Sequence, residues 1–409
     1  MEALDRIFIR IGEAFSTFLA QYLPAPVVTV IGMFLSAIII STFAALTFML
    51  LTWLERKFVG RMQDRIGPNR VGPFGLLQPI ADAIKMFTKE LITPAGAHKV
   101  VYNLAPILVV APSLMIFAVI PFGRDMVAAD LDVGVLYLIA LSSATEVAIL
   151  MAGWASRNKF SLLGAMRAVA QMLSYEVPLV LILLTLVLMA GSMRLTDLVA
   201  VQGVPFAFLQ PVAFVIFIVA AAAELNRTPF DIPEAESELV AGYHTEYGGM
   251  KFGLFMMAEF IAAFGMAALV TTVFLGGWRP WLIPLPSWLW FLIKTYLVLF
   301  VFIWFRGTFP RLRIDQLQAF CWKFLVPVTL LNVIVTGVVV TFVPLVRNGE
   351  VVVRGIGGWA TVTVVYFAVN VVFALVVAWL YRRPTLQAVQ QIQVGQPAGR
   401  GLSREVQTA

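Results

Sequence analysis

The stretch AAAELNRTPFDIPEAESELVAGYHTEYGGMKFG, residues 221–253, lies between two long apolar runs and carries most of a group of seven carboxylates. The whole chain is 60% hydrophobic and only 13% charged. Because each charge held near hydrocarbon costs on the order of 3 kcal/mol, this cluster predicts a site that handles protons or cations. Its members are Glu224, Asp231, Glu234, Glu236, Glu238, Glu246 and, in the next apolar run, Glu259.

Apolar runs of about 20 residues recur on both sides of this stretch, and the chain has a mean hydropathy of +0.90. A backbone inside lipid satisfies its polar groups within helices, and the alternating pattern of barrel strands is absent. The sequence therefore predicts an all-α polytopic membrane protein with nine candidate spans. The runs are residues 27–54, 100–121, 132–153, 161–191, 207–226, 252–275, 287–306, 320–343 and 359–381.

Residues 1–22 predict an amphipathic helix that lies in the membrane interface. Its apolar stripe includes Phe8 and Phe15, whereas Arg10 and Glu13 lie off the stripe. A signal peptide is the alternative interpretation. Charges spread through the segment and the lack of a clean small-residue cleavage site argue against it.

Lys and Arg are distributed unevenly between the two sides of the predicted bundle. If the link after the first span faces the cytoplasm, that side receives 21 of the 29 Lys and Arg residues. Loops rich in these residues stay inside, so we expect the N-terminus outside and the C-terminus in the cytoplasm of a cell whose inner membrane holds the chain. The pI near 9.5 then reflects topology, and no nucleic-acid partner is needed to explain it.

The chain has one cysteine, Cys321, and two histidines, His98 and His244. An iron–sulfur cluster needs about four thiolate or histidine ligands, and a structural zinc site needs four ligands. No phosphate-binding glycine loop follows a strand. We therefore expect no cluster, metal or nucleotide on this chain, and we expect Cys321 to be a small buried hydrophobe.

Two predicted spans carry isolated acids. Glu146 lies near the inner end of the third run, and Glu176 lies in the middle of the fourth, two residues before Pro178. The proline removes a hydrogen bond to the carbonyl of Ser174, so we expect a kink that admits water beside the carboxylate. The alternative interpretation is that each acid is neutral or is paired with an arginine for packing.

Three links form the predicted inner surface, residues 55–99, 226–251 and 306–319. The first is basic and rich in Gly and Pro, and it then contains a predicted amphipathic helix on which Asp82 can pair with Lys85. The third brings Arg306 and its neighbours to the same side as the acids. Arginines there could hold carboxylates ionised or lie at the rim of a polar pocket.

Several of these segments resemble a known family. GLLQPIADAIKMFTKE (residues 75–90) and PFDIPEAESELVAG (residues 229–242) are similar to the signature segments of the membrane-arm H subunit of proton-pumping NADH:quinone oxidoreductase, respiratory complex I, which is subunit 1 in mitochondria. RIGPNRVGP and RGTFPRLRIDQL resemble its other inner links. The resemblance covers residues 1–343, a membrane domain of eight transmembrane helices. Residues 344–409 remain as an extension with a ninth helix and a polar, disordered tail, which we expect to pack against a neighbouring subunit or lipid.

The resemblance implies a subunit that docks the peripheral arm, forms the quinone tunnel and reduction chamber with it, and couples quinone reduction to proton translocation. Such a subunit is part of an enzyme but not catalytic alone. Quinone is the substrate, while flavin and iron–sulfur clusters reside on peripheral subunits; antiporter-like and small membrane subunits are further partners. The implied proton route is Glu146, Glu176, Glu224, Asp231, Glu234, Glu236, Glu238 and Glu259. The implied chamber residues are Arg65, Asp82, Lys85, Arg227, Phe230 and Arg306.

Two other function classes stay open. A membrane anchor of an energy-converting hydrogenase, or of another donor:quinone oxidoreductase, would share the scaffold, but the full first link from GPNRVGP onward favours the quinone enzyme. A stand-alone ion transporter would also use intramembrane acids and broken helices. No convincing inverted repeat relates the two halves of the sequence.

Overall fold

The computed structural model describes residues 2–233, 239–281, 283–347, 350–353 and 355–395; of these, residues 2, 3, 347, 350, 355, 356 and 382–395 are described by their backbone alone. The helices in these ranges are α1 (Glu2–Asp5), α2 (Ile7–Ala20), α3 (Ala25–Met62), α4 (Gln78–Thr88), α5 (Lys99–Val119), α6 (Gly134–Ala155), α7 (Lys159–Ala190), α8 (Leu195–Val201), α9 (Phe206–Leu209), α10 (Pro211–Glu224), α11 (Gly249–Phe274), α12 (Ser287–Thr308), α13 (Ile314–Phe320), α14 (Val326–Phe342) and α15 (Gly355–Gly395). A π-helical turn, Cys321–Leu325, joins α13 to α14. Strands β1 (Val346–Arg347) and β2 (Glu350–Val351) form a small antiparallel hairpin.

Among the described residues, eight helical segments are long and apolar enough to cross a membrane. They confirm the predicted all-α polytopic membrane fold, and they match eight of the nine predicted runs. The segments are Ala25–Met62, Lys99–Val119, Gly134–Ala155, Lys159–Ala190, Gly249–Phe274, Ser287–Thr308, Ile314–Phe342 and Gly357–Tyr381.

The remaining predicted run, residues 207–226, is not one continuous helix. Gln210 has φ −129° and ψ 61° and separates α9 from α10, which begins at Pro211. α10 has 14 residues and is about 21 Å long, less than the roughly 30 Å of a hydrocarbon core. The sequence signal for the break is Pro211, since proline fits the first turn of a helix but lacks the N–H that a continuing helix needs.

The N-terminal helix α2 is amphipathic as predicted, and none of its residues is buried. The start of α2 and the segment before it contact the start of α12. The Oδ1 atom of Asp5 accepts a hydrogen bond from the backbone N–H of Ser287 at 2.6 Å, and the ring of Phe8 packs edge-on against Trp288. The first half of α3 also lies outside the core, because its buried residues begin at Ala44. The N-terminal part therefore adds a loosely packed apolar arm to the bundle.

The last part of the acidic stretch, residues 239–248, packs tightly between the inner ends of α5, α6 and α7. Tyr102 stacks on Tyr247 with ring centroids 4.2 Å apart and donates its hydroxyl proton to the carbonyl of Glu246 at 2.7 Å. Burial lowers the pKa of His244 to about 4, so this side chain is neutral at pH 7. Gly164 of α7 lies against the backbone of Gly242, where an added Cβ would be 2.7 Å from the Gly242 Cα atom.

The C-terminal extension continues as a helix through Gly395. The prediction of disorder is therefore wrong for residues 384–395, and residues 396–409 lie outside the described residues. One side of α15 packs against this chain itself, with Val362, Tyr366, Asn370, Phe373 and Val377 buried. This intramolecular contact was not expected from the sequence.

The contact between Gly164 and Gly242 gives a test of this packing. We predict that Gly164→Ala lowers the melting temperature of the assembled protein, because a Cβ at 2.7 Å forces the backbone of the link away from α7, a distortion that costs about 1–3 kcal/mol. Gly337→Ala in α14 is the matched control, since no atom lies within 4 Å of its added Cβ. Equal melting temperatures for the two variants, measured by tryptophan fluorescence, would show that the link is not seated on α7.

Candidate functional site

Four charged side chains meet where the C-terminal parts of α3 and α12 lie beside the N-terminal half of α11. The guanidinium of Arg227 donates to both carboxylate oxygens of Glu55, at 2.8 and 3.0 Å, and lies 3.2 Å from the carboxylate of Glu259. Arg306 donates a further hydrogen bond to Glu55. The ring of Phe260 covers the guanidinium of Arg227, with 4.6 Å between them. We call Glu55, Arg227, Glu259 and Arg306 the inner ionic cluster; Glu55 and Arg227 are both buried.

Gln171 of α7 holds the turn that carries Arg227. Its amide nitrogen donates to the carbonyls of Ala223 and Phe230 at 2.7 and 2.8 Å, and to the side chain of Asn226 at 3.0 Å. The two N–H hydrogens of this buried amide are shared among three acceptors at the end of α10. The turn therefore has a defined shape that points Arg227 into the ionic cluster.

A cavity of about 400 Å³ lies between α3, α4 and α11, and we call it the lateral cavity. Most of its wall is made of apolar and sulfur-containing side chains, and its polar end is formed by charged groups of α3, α4, α11 and α12. Its lining residues are Phe48, Thr52, Glu55, Arg56, Pro79, Asp82, Ala83, Met86, Phe87, Met250, Phe252, Gly253, Met256, Met257, Glu259, Phe260 and Arg306.

A second cavity of about 400 Å³, the inner cavity, adjoins the polar end of the lateral cavity. Three residues, Glu55, Arg56 and Arg306, line both cavities. The rest of the inner cavity is formed by the first link, at Val59, Arg65, Gly67 and Pro68. With three arginines and one glutamate in its wall, this cavity favours anionic or electron-rich groups.

A pair of opposite charges joins the first link to α3 beside both cavities. Arg56 lies 2.5 Å from Asp82, and Lys85 lies 3.6 Å from the same carboxylate. Burial alone would raise the pKa of Asp82, but the hydrogen bond and charge of Arg56 outweigh it and lower the pKa below its usual value. Asp82 is therefore ionised at neutral pH. The pairing of Asp82 with Lys85 was predicted, whereas the closer partner, Arg56, was not.

Three acids, from α6, α7 and α10, come together elsewhere in the bundle. Their charges act on one another, and adjacent serines of α6 bind two of them. Ser142 donates to Glu224 and Ser143 donates to Glu176, each at 2.6 Å. The third acid is Glu146, which lies on α6 one turn after these serines. Oε1 of Glu146 and Oε2 of Glu224 are buried without a hydrogen-bond partner among the described residues. Among the described residues, Glu176 and Glu224 are therefore bound by serine hydroxyls.

A cavity of about 40 Å³ lies beside Glu176 and Ser142, large enough for water. Pro178 lies inside α7, and the backbone carbonyl of Ser174, which this proline frees, accepts a hydrogen bond from the Sγ atom of Cys321 at 3.0 Å. Cys321 is fully buried, as predicted. The hydrogen bond from its thiol to Ser174 was not predicted from the sequence.

The remaining predicted site residues belong neither to the inner ionic cluster nor to the group of Glu146, Glu176 and Glu224. Phe230 packs in the core against Tyr175 and lines neither of the two large cavities. Asp231 is close enough to Glu259 for their charges to interact. Glu234, Glu236 and Glu238 lie outside the described residues. Within the part of the chain that the structure describes, no group of three or more His, Cys, Asp or Glu residues is arranged to hold a metal ion.

Four functional candidates were missed from the sequence, Glu55, Arg56, Gln171 and the Ser142–Ser143 pair. A signal existed for the first two, since LERK ends the first apolar run with opposite charges at membrane depth. Ser and Gln inside apolar runs are common in helix packing, so the other residues had no distinguishing signal.

Comparisons with known proteins identify the family of this chain. A family model described as NADH dehydrogenase matches residues 35–337. The H subunit of the NADH-quinone oxidoreductase of Geobacillus kaustophilus is 56% identical over 289 residues, 70% of this chain and 87% of that protein. The corresponding H subunits of Dehalococcoides mccartyi strain CBDB1 and Carboxydothermus hydrogenoformans are 51% and 48% identical, over 75% and 81% of this chain and 86% and 96% of their own lengths. The chain therefore belongs to the NADH dehydrogenase family, together with these NADH-quinone oxidoreductase H subunits.

Proposed function

We propose that this chain is the membrane subunit of a proton-pumping NADH:quinone oxidoreductase and that it forms the quinone-access tunnel and, with the peripheral arm, the reduction chamber. The observation that carries the proposal is the pair of adjoining cavities that share Glu55, Arg56 and Arg306. The tail of a membrane quinone is hydrocarbon and needs an apolar route, which the methionine and phenylalanine side chains of the lateral cavity offer.

The quinone head-group, unlike the tail, needs polar and cationic surroundings. Two-electron reduction of a quinone places negative charge on its oxygens until two protons arrive, and cationic side chains stabilise that charge. In our proposal the ring passes Arg56 and Arg306 into the inner cavity, whose wall includes Arg65. The electrons come from NADH through flavin and iron–sulfur clusters on peripheral subunits, so this chain does not catalyse the reaction alone.

Proton coupling runs, in this proposal, from the ionic cluster into the bundle. Two arginine partners favour the ionised form of Glu55, whereas acids bound by serine hydroxyls can exchange protons. Charge that appears near Arg227 when quinone is reduced acts on Asp231 and Glu259 first. The change then passes to Glu224, Glu176 and Glu146 and onward to the antiporter-like subunits. Glu234, Glu236 and Glu238 are proposed members of the same route.

The proposal includes an arrangement of the chain in the membrane. Residues 1–343 form the family's membrane domain, with the N-terminus outside the inner membrane, and residues 344–409 are an addition whose C-terminus is cytoplasmic. The first and third links, with the acidic stretch, then face the peripheral subunits. The names of the related proteins support the quinone enzyme over a hydrogenase anchor, because they are NADH-quinone oxidoreductase subunits.

Filling the lateral cavity tests the tunnel. Gly253 lines this cavity, and a Cβ added there would meet only flexible methionines, Met86 and Met250, at 3.7 Å. We predict that Gly253→Leu raises the KM for a long-tailed quinone about tenfold, equivalent to roughly 1.4 kcal/mol, with a much smaller effect on a short-tailed quinone.

The matched control for this variant is Gly337→Leu, where the new side chain meets no atom within 4 Å of its Cβ. Electron transfer from NADH to a soluble acceptor reports on the peripheral arm and should be unchanged in both variants. An equal change in KM for long- and short-tailed quinones would exclude the lateral cavity as the route of the tail.

Removing one carboxylate tests the proton route. We predict that Glu176→Gln in the assembled complex lowers the number of protons pumped per NADH oxidised at least twofold, because an amide cannot release a proton. Glu13→Gln on the exposed helix α2 is the matched control. Pumping is measured in proteoliposomes with a pH-sensitive dye; unchanged pumping at normal assembly would remove Glu176 from the route.

A further inference from the structure

The break before α10 leaves backbone groups without partners in the middle of an apolar bundle. α9 has only four residues; the carbonyl of Phe206 accepts from the N–H of Gln210, but Pro211 contributes no N–H to the carbonyls that follow Phe206. Lipid offers no hydrogen-bond donor, and irregular backbone is stable at membrane depth only where protein or water satisfies it. Something must therefore cover the segment at residues 202–210, which we call the re-entrant segment.

The covering side chain on this chain is Asn370 of α15. Its amide nitrogen donates to the carbonyl of Leu209 at 3.1 Å, and the side chain is buried. At 1.5 Å per residue, Asn370 lies about 20 Å from Gly357 and about 16 Å from Tyr381, the two ends of its span. The bond to Leu209 is therefore made near the middle of the membrane, where an open carbonyl is most costly.

Further contacts seat α15 along the same segment. The ring of Trp359 lies directly on Gly203, where an added Cβ would be 2.1 Å from a ring atom. Tyr366 is fully buried and donates its hydroxyl proton to the carbonyl of Val343 at 3.0 Å. Trp359 and Asn370 therefore contact the re-entrant segment near its two ends, and Tyr366, between them on α15, contacts the residue after α14.

Polar atoms are concentrated at this contact. Gln210 donates to the hydroxyl of Thr336 at 2.9 Å. Gln210 Oε1, Asn370 Oδ1 and Asn332 Nδ2 are buried, and none has a hydrogen-bond partner among the described residues. Two acceptors and one donor are a set that a water molecule satisfies, since water both donates and accepts.

We propose that residues 357–381 are a cover that this chain supplies for its own re-entrant segment, with Asn370 as the residue that satisfies the broken backbone. This helix lies beyond residues 35–337, the part of the chain that the family model matches. Its role depends only on the hydrocarbon surroundings of the bundle, so it stands whether or not the proposed quinone chemistry is correct.

The opposite side of α15 is apolar and exposed, at Val364, Phe367, Val372, Leu375 and Trp379. Lipid is the occupant that this face fits, because its exposed side chains are uniformly apolar and carry no charge. A neighbouring subunit on this face would give α15 a different function, that of a docking helix. Hydrogen exchange distinguishes a lipid-facing cover from a docking helix.

Hydrogen exchange of the assembled complex in lipid nanodiscs tests the proposal. We expect Asn370→Leu to speed amide exchange in residues 202–210 about tenfold, the change expected from the loss of one buried hydrogen bond, and to leave residues 239–248 unchanged. Thr361→Val is the matched control, since Thr361 is exposed on the same helix and its hydroxyl bonds only to the carbonyl of Gly357 in that helix.

A second variant keeps the test decisive if Asn370→Leu fails to assemble. Trp359→Ala removes the ring from Gly203 without touching the buried amide, and we expect it to speed exchange at the same residues. A complex that keeps slow exchange at residues 202–210 in both variants would overturn the proposal. Loss of a neighbouring subunit with unchanged exchange at these residues would also overturn it, and would identify α15 as a docking helix.

Discussion

A buried charge in an apolar bundle needs a counter-charge. Arg227 provides this counter-charge for two acids, Glu55 and Glu259. Its guanidinium binds Glu55 and Glu259 and so joins the acidic stretch to α3 and α11. Breaking such a pair costs about 3–5 kcal/mol, because the remaining charge stays buried and uncompensated. The inner ends of these helices are therefore fixed relative to one another. The polar ends of the lateral and inner cavities are built on this fixed frame.

The buried acids of this chain fall into two groups according to the side chains that bind them. Glu55 and Glu259 have arginine partners, whereas Glu176 and Glu224 have serine hydroxyls and one another. Arginine favours a permanent carboxylate, while hydroxyl partners and nearby acids favour shared protons. In the function that we propose, the arginines around Glu55 stabilise negative charge beside the quinone, and Glu259, Glu176 and Glu224 belong to the proton route.

Much of this arrangement could be predicted from the sequence, and the exceptions have physical reasons. Apolar runs predict helices because hydrocarbon leaves the backbone no other partner, and Asp82 with Lys85 was predicted because helix spacing brings them together. Arg227 was expected at the site, but its partner Glu55 lies 172 residues earlier in the chain. Pairs that far apart are decided by tertiary packing. The contact of Asn370 with Leu209 was missed for the same reason. The break at Gln210 was missed because the composition of an apolar run does not distinguish a short helix from a full span.

Photoaffinity labelling of the intact complex with a quinone that carries an azide on its tail tests the central claim most directly, that the carrier enters between α3, α4 and α11. The account predicts labels in residues 48–56, 82–87 and 250–260, and predicts that excess unlabelled long-tailed quinone suppresses them. Labels confined to other helices, or labels in these residues that unlabelled quinone does not suppress, would contradict it.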